Sequence, residues 1–238
     1  MPNFAALFVY LEEQPLLWLF VTLSAYVLAE QIHRYGRQFA LLNPVLVSAV
    51  LIALILWVSG TPYTAYFGGA QFIHVMLGPA IIALAVPVAR HKAALWRARY
   101  AVLAAVVCGG LAAALSAVGL GRAFGLSDPL IASLAPKSVT APIAMGIAEQ
   151  IGGITSIAAV LAVVTGITGA VMVTPLFTRL GFTDWRARGF AVGVTCHGIG
   201  TAHAFQVHAI AGTFATIGMA LNGLFSSVLL PVLFFWLL

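Results

Sequence analysis

Along most of the chain, long apolar runs alternate with short polar breaks, and the period-2 alternation of barrel strands is absent. Runs at 16–29, 43–58, 72–89, 100–118, 154–175 and 213–238 approach the roughly 20 residues that a bilayer-spanning helix needs. The breaks carry the charge: His33, Arg34 and Arg37 at 31–38, then Arg90, Lys92, Arg97 and Arg99, then Arg179, Asp184, Arg186 and Arg188. The loop predicted at 59–71 holds Gly60, Pro62 and aromatic residues but no Lys or Arg, and 119–128 is a second short loop on that side. Gly109-Gly110, among alanines, suits close helix packing.

Two stretches break this rhythm, 129–153 and 189–211. Both are apolar enough to enter a membrane, yet the first carries Pro136, Lys137, Ser138, Thr140, Pro142 and Glu149. The second is rich in glycine, threonine and histidine. Charge parity bears on the first. If it crossed fully, the arginine-rich loop at 179–188 would fall on the non-cytoplasmic side; if it enters and returns, that loop is cytoplasmic. The re-entrant form is therefore expected, and irregular backbone at membrane depth requires a protein-lined cavity in either form. Paired interrupted segments also point to a transporter's binding site and to an inverted repeat, for which the faint echo between 77–87 and 134–142 is the internal sign.

Composition fixes the class. Hydrophobic residues make up 62% and charged residues 7% of the 238, too little polar surface to cover a soluble globule. The expectation is an all-α integral membrane protein, a polytopic helical bundle forming a single transmembrane domain over 1–238 with about six to eight membrane segments. The net charge of +5 is scattered in short clusters that suit lipid headgroups and orientation; no basic domain is there to bind nucleic acid. Cys108 and Cys196 lie far apart in apolar runs and read as packing residues. Residues 1–14 read as an interfacial lead, with the first apolar run retained.

The polar residues of the broken stretches suggest chemistry. Pro136 and Pro142 remove backbone donors, and Pro142 suits the first turn of a half-helix whose free amides attract anions. Lys137, Ser138 and Thr140 beside that turn form a carboxylate site; the alternative is a lysine that snorkels or is neutralised by Asp128 or Glu149. Glu149, seven residues after Pro142, shares its helix face and could exchange protons, or could cap or ion-pair beside Gly152-Gly153. In the second stretch, Thr195, His197, Gly198, Gly200 and Thr201 concentrate donors around glycines, with His197 either binding a proton or carboxylate or serving as a buried structural residue. His197 and His203 lie about 240° apart on an ideal helix, so no metal site is expected. Neither a cofactor nor catalysis is expected, since a Gly-x-Ser-x-Gly elbow is missing.

Pro136-Lys137-Ser138-Val139-Thr140, Pro142-Ile143-Ala144-Met145, Glu149-Gln150-Ile151-Gly152-Gly153 and His197-Gly198-Ile199-Gly200-Thr201-Ala202 together resemble the LrgB/CidB family. Asn43-Pro44 and Leu77-Gly78-Pro79-Ala80 extend the likeness over nearly the whole chain. The resemblance implies a multi-pass protein of the bacterial inner membrane with a small LrgA/CidA-type partner. It carries two functional associations, holin/antiholin-like control of murein hydrolases and lysis, and movement of pyruvate and related carboxylates. The plastidial glycolate/glycerate translocator is similar to a fusion of both partners. From residues and resemblance together, the expectation is a homo-oligomeric, proton-coupled transporter of small monocarboxylates, with a holin/antiholin-like pore or regulator as alternative. Substrate would be held by Lys137, Ser138, Thr140, Thr195, His197, Gly198, Gly200, Thr201 and Asn43, and protons carried by Glu149, His197 and His203. The chain departs from the family pattern after Gly-Thr-Ala, where a basic residue and, a few positions later, an acidic one are replaced by His203 and Gln206.

Overall fold

A computed structural model describes residues 15–36, 42–83 and 85–237. The lead at 1–14 and Arg37 lie outside them. Among the described residues the chain is helical throughout and holds no strand. It divides into two compact units, Met1–Ala83 and Leu84–Leu238.

The first unit contains α1 (Pro15–Tyr35), α2 (Pro44–Ser59) and α3 (Tyr63–Ala83). Trp18, Ala25, Ala29 and His33 form a buried stripe at helical spacing on α1. The helix therefore does not end at 29 as expected from hydropathy. It runs on to Tyr35 because His33 continues the stripe, while Arg34 pairs with Glu30 on the outer face at 2.9 Å. Asn43 caps α2, its side-chain oxygen accepting from the Val45 amide at 2.9 Å, and Gly60 ends the helix at φ 71°. The loop expected at 59–71 shrinks to a short connection before Tyr63. Past Pro62 the helix runs on through Gly68-Gly69, with Tyr63 stacked on Phe67 one turn later and Tyr66 set edge-on against Trp18.

The second unit opens with two short helices, α4 (Ala85–Arg90) and α5 (Lys92–Arg97), followed by α6 (Arg99–Ala123). Next come α7 (Asp128–Leu134), α8 (Ala141–Gln150) and α9 (Thr155–Arg179), then α10 (Trp185–Val207) and α11 (Ala209–Leu237). Among the described residues, four helices are long and apolar enough to cross a membrane: Leu16–Tyr35, Arg99–Ala123, Thr155–Arg179 and Ala209–Phe235. The protein is a multi-pass membrane protein.

Neither broken stretch spans end to end. Helices α7 and α8 measure about 10 and 15 Å at 1.5 Å per residue, against a hydrocarbon core of about 30 Å. The last turn of α7 meets the chain again just after α8: the Ser133 hydroxyl donates to the Pro129 carbonyl at 2.6 Å and accepts from the Ile154 amide at 2.7 Å. Gly153 is packed so tightly on Ala132 and Ser133 that a Cβ would lie 2.9 Å from their backbone. The stretch leaves and returns to one place, forming a first hairpin over 128–154.

The second stretch folds back more sharply. In a straight helix Trp185 and His208 would stand about 35 Å apart. Their rings instead stack at 4.9 Å and 2°. The reversal falls at His197, with φ 41° and ψ −133°, so α10 is two antiparallel arms, 185–196 and 198–207, joined at that residue. Helix α11 then runs beside the first arm in the same direction, with Gly189 against the Ala211 carbonyl and Gly193 against that of Ala215. No side chain fits at either glycine.

The two hairpins approach from opposite ends. At the C-terminal end of α6, Gly121 touches Ile131 of the first hairpin. At its N-terminal end, Ala98 and Ala101 share a cavity wall with Asp184, Arg186 and Ala187, where the second hairpin begins. Consequently the cationic segments at 90–99 and 179–188 lie on one side of the unit. Each hairpin has its own apolar core, built on Ile131, Val139 and Ile147 for the first and on Val192, Cys196, Ala204 and Ala215 for the second.

Candidate functional site

The first hairpin turns through 135–140. Pro136 is fully buried, and two tight turns, Lys137 N–H to the Leu134 carbonyl and Val139 N–H to that of Pro136, both 3.2 Å, bring Lys137 and Ser138 to the tip. The Lys137 ammonium donates to the Ser138 hydroxyl at 3.3 Å. Among the described residues it forms no ion pair with Asp128, Glu149 or any other carboxylate. Thr140 caps α8 by backbone alone, its hydroxyl making no capping bond, and Pro142 sits in the first turn as its sequence position predicts. A half-buried cation, two hydroxyls and a helix N-terminus are thus grouped without a negative partner.

The second tip is held by its neighbours. His197 is 3% exposed and its Nε2 lies 2.8 Å from the Ala162 carbonyl on α9. A carbonyl can only accept, so Nε2 carries the proton and Nδ1 is left as the other ring nitrogen. Gly166 makes room for the ring, since a Cβ there would sit 2.8 Å from its Cε1. The buried Thr201 hydroxyl donates to the His197 carbonyl at 2.7 Å. Thr195 donates to the Ala191 carbonyl at 2.8 Å and lies 3.1 Å from the Cys196 sulfur. Gly200 is needed where the second arm passes Cys196 and Val192, and Gly198 follows the turn.

One residue joins the tips. Asn222, 1% exposed in the middle of α11, donates both amide hydrogens, to the Ser138 carbonyl at 3.0 Å and to the Val194 carbonyl at 2.9 Å. Its oxygen accepts from Ser226 at 3.4 Å. Sequence reasoning placed Asn222 within a span but assigned it no part. The signal was there: a buried amide in an apolar membrane helix needs partners, and these bonds supply them.

The remaining expected residues are dispersed. Glu149 is exposed on the last turn of α8, about 10 Å along the helix from Pro142, at the base of the first hairpin rather than its tip. His203 lines a cavity of about 20 Å³ at the base of the second hairpin with Trp185 and Arg188. Asn43 belongs to the first unit, where its oxygen caps α2. A larger cavity of about 510 Å³ descends from Asp184 and Arg186 to Val194 and Thr195, beside the second tip. At its mouth Asp184 accepts from the Arg186 amide and guanidinium, both at 2.8 Å; this bonding holds the carboxyl down to about 2. Among the described residues no three His, Cys, Asp or Glu side chains gather as metal ligands.

The chain is 32% identical over 92% of its length to an uncharacterized protein of Haemophilus influenzae, covering 94% of that protein. It is 32% identical over 90% of its length to the uncharacterized protein YwbG of Bacillus subtilis, covering 95% of it. Identity to the holin-like protein CidB of Staphylococcus epidermidis is 30%, over 92% of this chain and 96% of the relative. No solved structure matches. The LrgB-like family model matches residues 22–236, spanning both hairpins and the helices that carry them, and the chain belongs to that family.

Proposed function

We propose that this protein carries small monocarboxylates of the glycolate, glycerate, pyruvate and lactate class across the bacterial inner membrane by alternating access, coupled to protons. The supporting observation is that two hairpins entering from opposite faces meet at Asn222 with Lys137 at the junction and no carboxylate paired to it. A charge at membrane depth costs about 2.5–3.5 kcal/mol on insertion scales, and a substrate carboxylate would offset it. In this reading Lys137, Ser138, Thr140 and the α8 N-terminus take the carboxylate. Thr195, His197, Gly198, Gly200 and Thr201 face it from the second tip. The cavity down to Thr195 is the vestibule on the cationic side. Glu149, His197 and His203, at one base, the second tip and the other base, are the proton stations. Self-association and a small LrgA/CidA-type partner complete the assembly.

The test is uptake of labelled glycolate, pyruvate and lactate into proteoliposomes containing only this chain, under pH gradients of either sign. Saturable, competable uptake that is lost in Lys137→Ala, with the melting temperature unchanged, is the expected result. A second reading, a holin-like pore or regulator of lysis, draws on the holin-like naming of the CidB relatives, which favours it over a carboxylate carrier. It predicts leakage of trapped dye irrespective of solute chemistry, and equal leakage from Lys137→Ala. Activity that emerges only on adding the small partner makes the complex the transporting unit.

A further inference from the structure

Helix α6 converges on the core at its middle and stands off at its cationic end. At the convergence Gly109 meets Val194, and Gly110 meets Asn222 and Phe225, closely enough that a Cβ would lie 3.0–3.1 Å from them. Toward Arg99 the helices part and leave a groove on each side. One is the vestibule already described. The other, of about 490 Å³, runs between α6 and α11. That is within the roughly 300–1,000 Å³ of ordinary ligand sites.

Its two ends differ in chemistry. The mouth carries Lys92, Trp96 and Arg99, and the depth is hydrocarbon, with Val106, Leu221 and Phe225 about 10 Å or more below the cations. Among the described residues no carboxylate lines it. The Arg99 guanidinium is held in place by neutral groups, donating to the Trp96 carbonyl at 3.0 Å and the Tyr100 hydroxyl at 3.3 Å. It lies 5.1 and 4.5 Å from the two ring centroids. A preset guanidinium and an ammonium, with no counter-ion among the described residues, above an apolar slot opening from the membrane surface match a phosphate headgroup on an acyl chain. A water-soluble anion would satisfy the mouth but leave the slot walls uncovered. An uncharged lipid would fill the slot and leave the mouth unpaired.

We infer that the α6–α11 groove binds an anionic phospholipid, its phosphate on Lys92 and Arg99 and one acyl chain lying along Val106, Leu221 and Phe225. The inference does not rest on the transport reading: the groove opens on the opposite flank of α6 from the vestibule, the two sharing Val102 between them.

The full chain in nanodiscs provides the test, with acyl-brominated phosphatidylglycerol and phosphatidylcholine as probes. The signal is quenching of the Trp96 component, taken as the difference from Trp96→Phe. Brominated phosphatidylglycerol should quench at several-fold lower mole fraction than brominated phosphatidylcholine. Lys92→Gln and Arg99→Gln should each reduce that preference about fivefold, and Arg99→Lys should retain most of it. Both cations are exposed, so these variants are expected to fold, and unchanged melting in detergent checks it. Equal quenching by the two lipids, or a preference surviving the double Gln variant, overturns the inference. Relief of quenching by millimolar inorganic phosphate or glycerol phosphate also overturns it, assigning the mouth to soluble anions.

Discussion

The two hairpins solve one problem by different means. The first turns over six residues through two proline-directed tight turns, and its reversal is dictated by the chain's own local chemistry. The second turns at one residue, a histidine in a backbone region that costs a non-glycine residue about 1–3 kcal/mol. Its reversal is imposed from outside, by the Ala162 carbonyl, the seat at Gly166 and the close passage of α11. A turn written locally tolerates change around it. A turn imposed by neighbours depends on every one of them.

Packing offers the strongest way to break this contrast. Gly193→Leu should cost about 3 kcal/mol or more, read as a fall in the detergent melting midpoint, because backbone on α11 occupies the space. Gly146→Ala, in the first hairpin with nothing within 4 Å, should be neutral or stabilise by up to about 1 kcal/mol. Equal effects would erase the distinction. Next in size, His197→Ala should lose about 2–3 kcal/mol by giving up the bond to Ala162 and the packed ring while keeping the strained backbone. His197→Gly should be the milder of the two by about 1 kcal/mol, an order that only relief of backbone strain produces.

Asn222→Ala should cost about 2 kcal/mol and abolish uptake, since it frees two buried carbonyls on separate hairpins. Ser138→Ala, whose hydroxyl has only the 3.3 Å contact to Lys137, should impair uptake while moving the melting midpoint little. The smallest effect belongs to Asp184→Ala, expected at under about 1 kcal/mol because the group is exposed and screened. The folded carboxyl is held at about 2, below the ordinary value near 4. Its contribution is therefore complete above about pH 4 and disappears as the pH falls toward 2, so the two melting curves should converge there.

How much was legible follows the same division. The all-α membrane class came from composition and run length, and the break at 135–140 from Pro136 and Pro142, because prolines act on their own backbone. The second stretch was recognised as broken through its glycines, yet none of them makes the turn; they make room for Cys196, for Ala211 and for Ala215. His197 bends because of a carbonyl 35 residues earlier in the chain, which no local pattern encodes. The loop expected from 31 begins later, after Tyr35, and the loop expected at 59–71 is shorter, because hydropathy registers polar residues whereas His33 and the Tyr63–Phe67 pair keep helical spacing. Glu149 shares a helix face with Pro142, but spacing on one helix says nothing of distance from the tip.

The Asn222 bridge also sets a schedule. Its two partners are 84 and 28 residues earlier in the chain, so both tips are synthesised and inserted before the group that joins them exists. Until α11 enters the bilayer, Ser138 and Val194 have no common partner, and the two hairpins are separate insertions into lipid. The site is thus the last thing the membrane receives, and a chain cut short of residue 222 would be anchored but have no assembled junction.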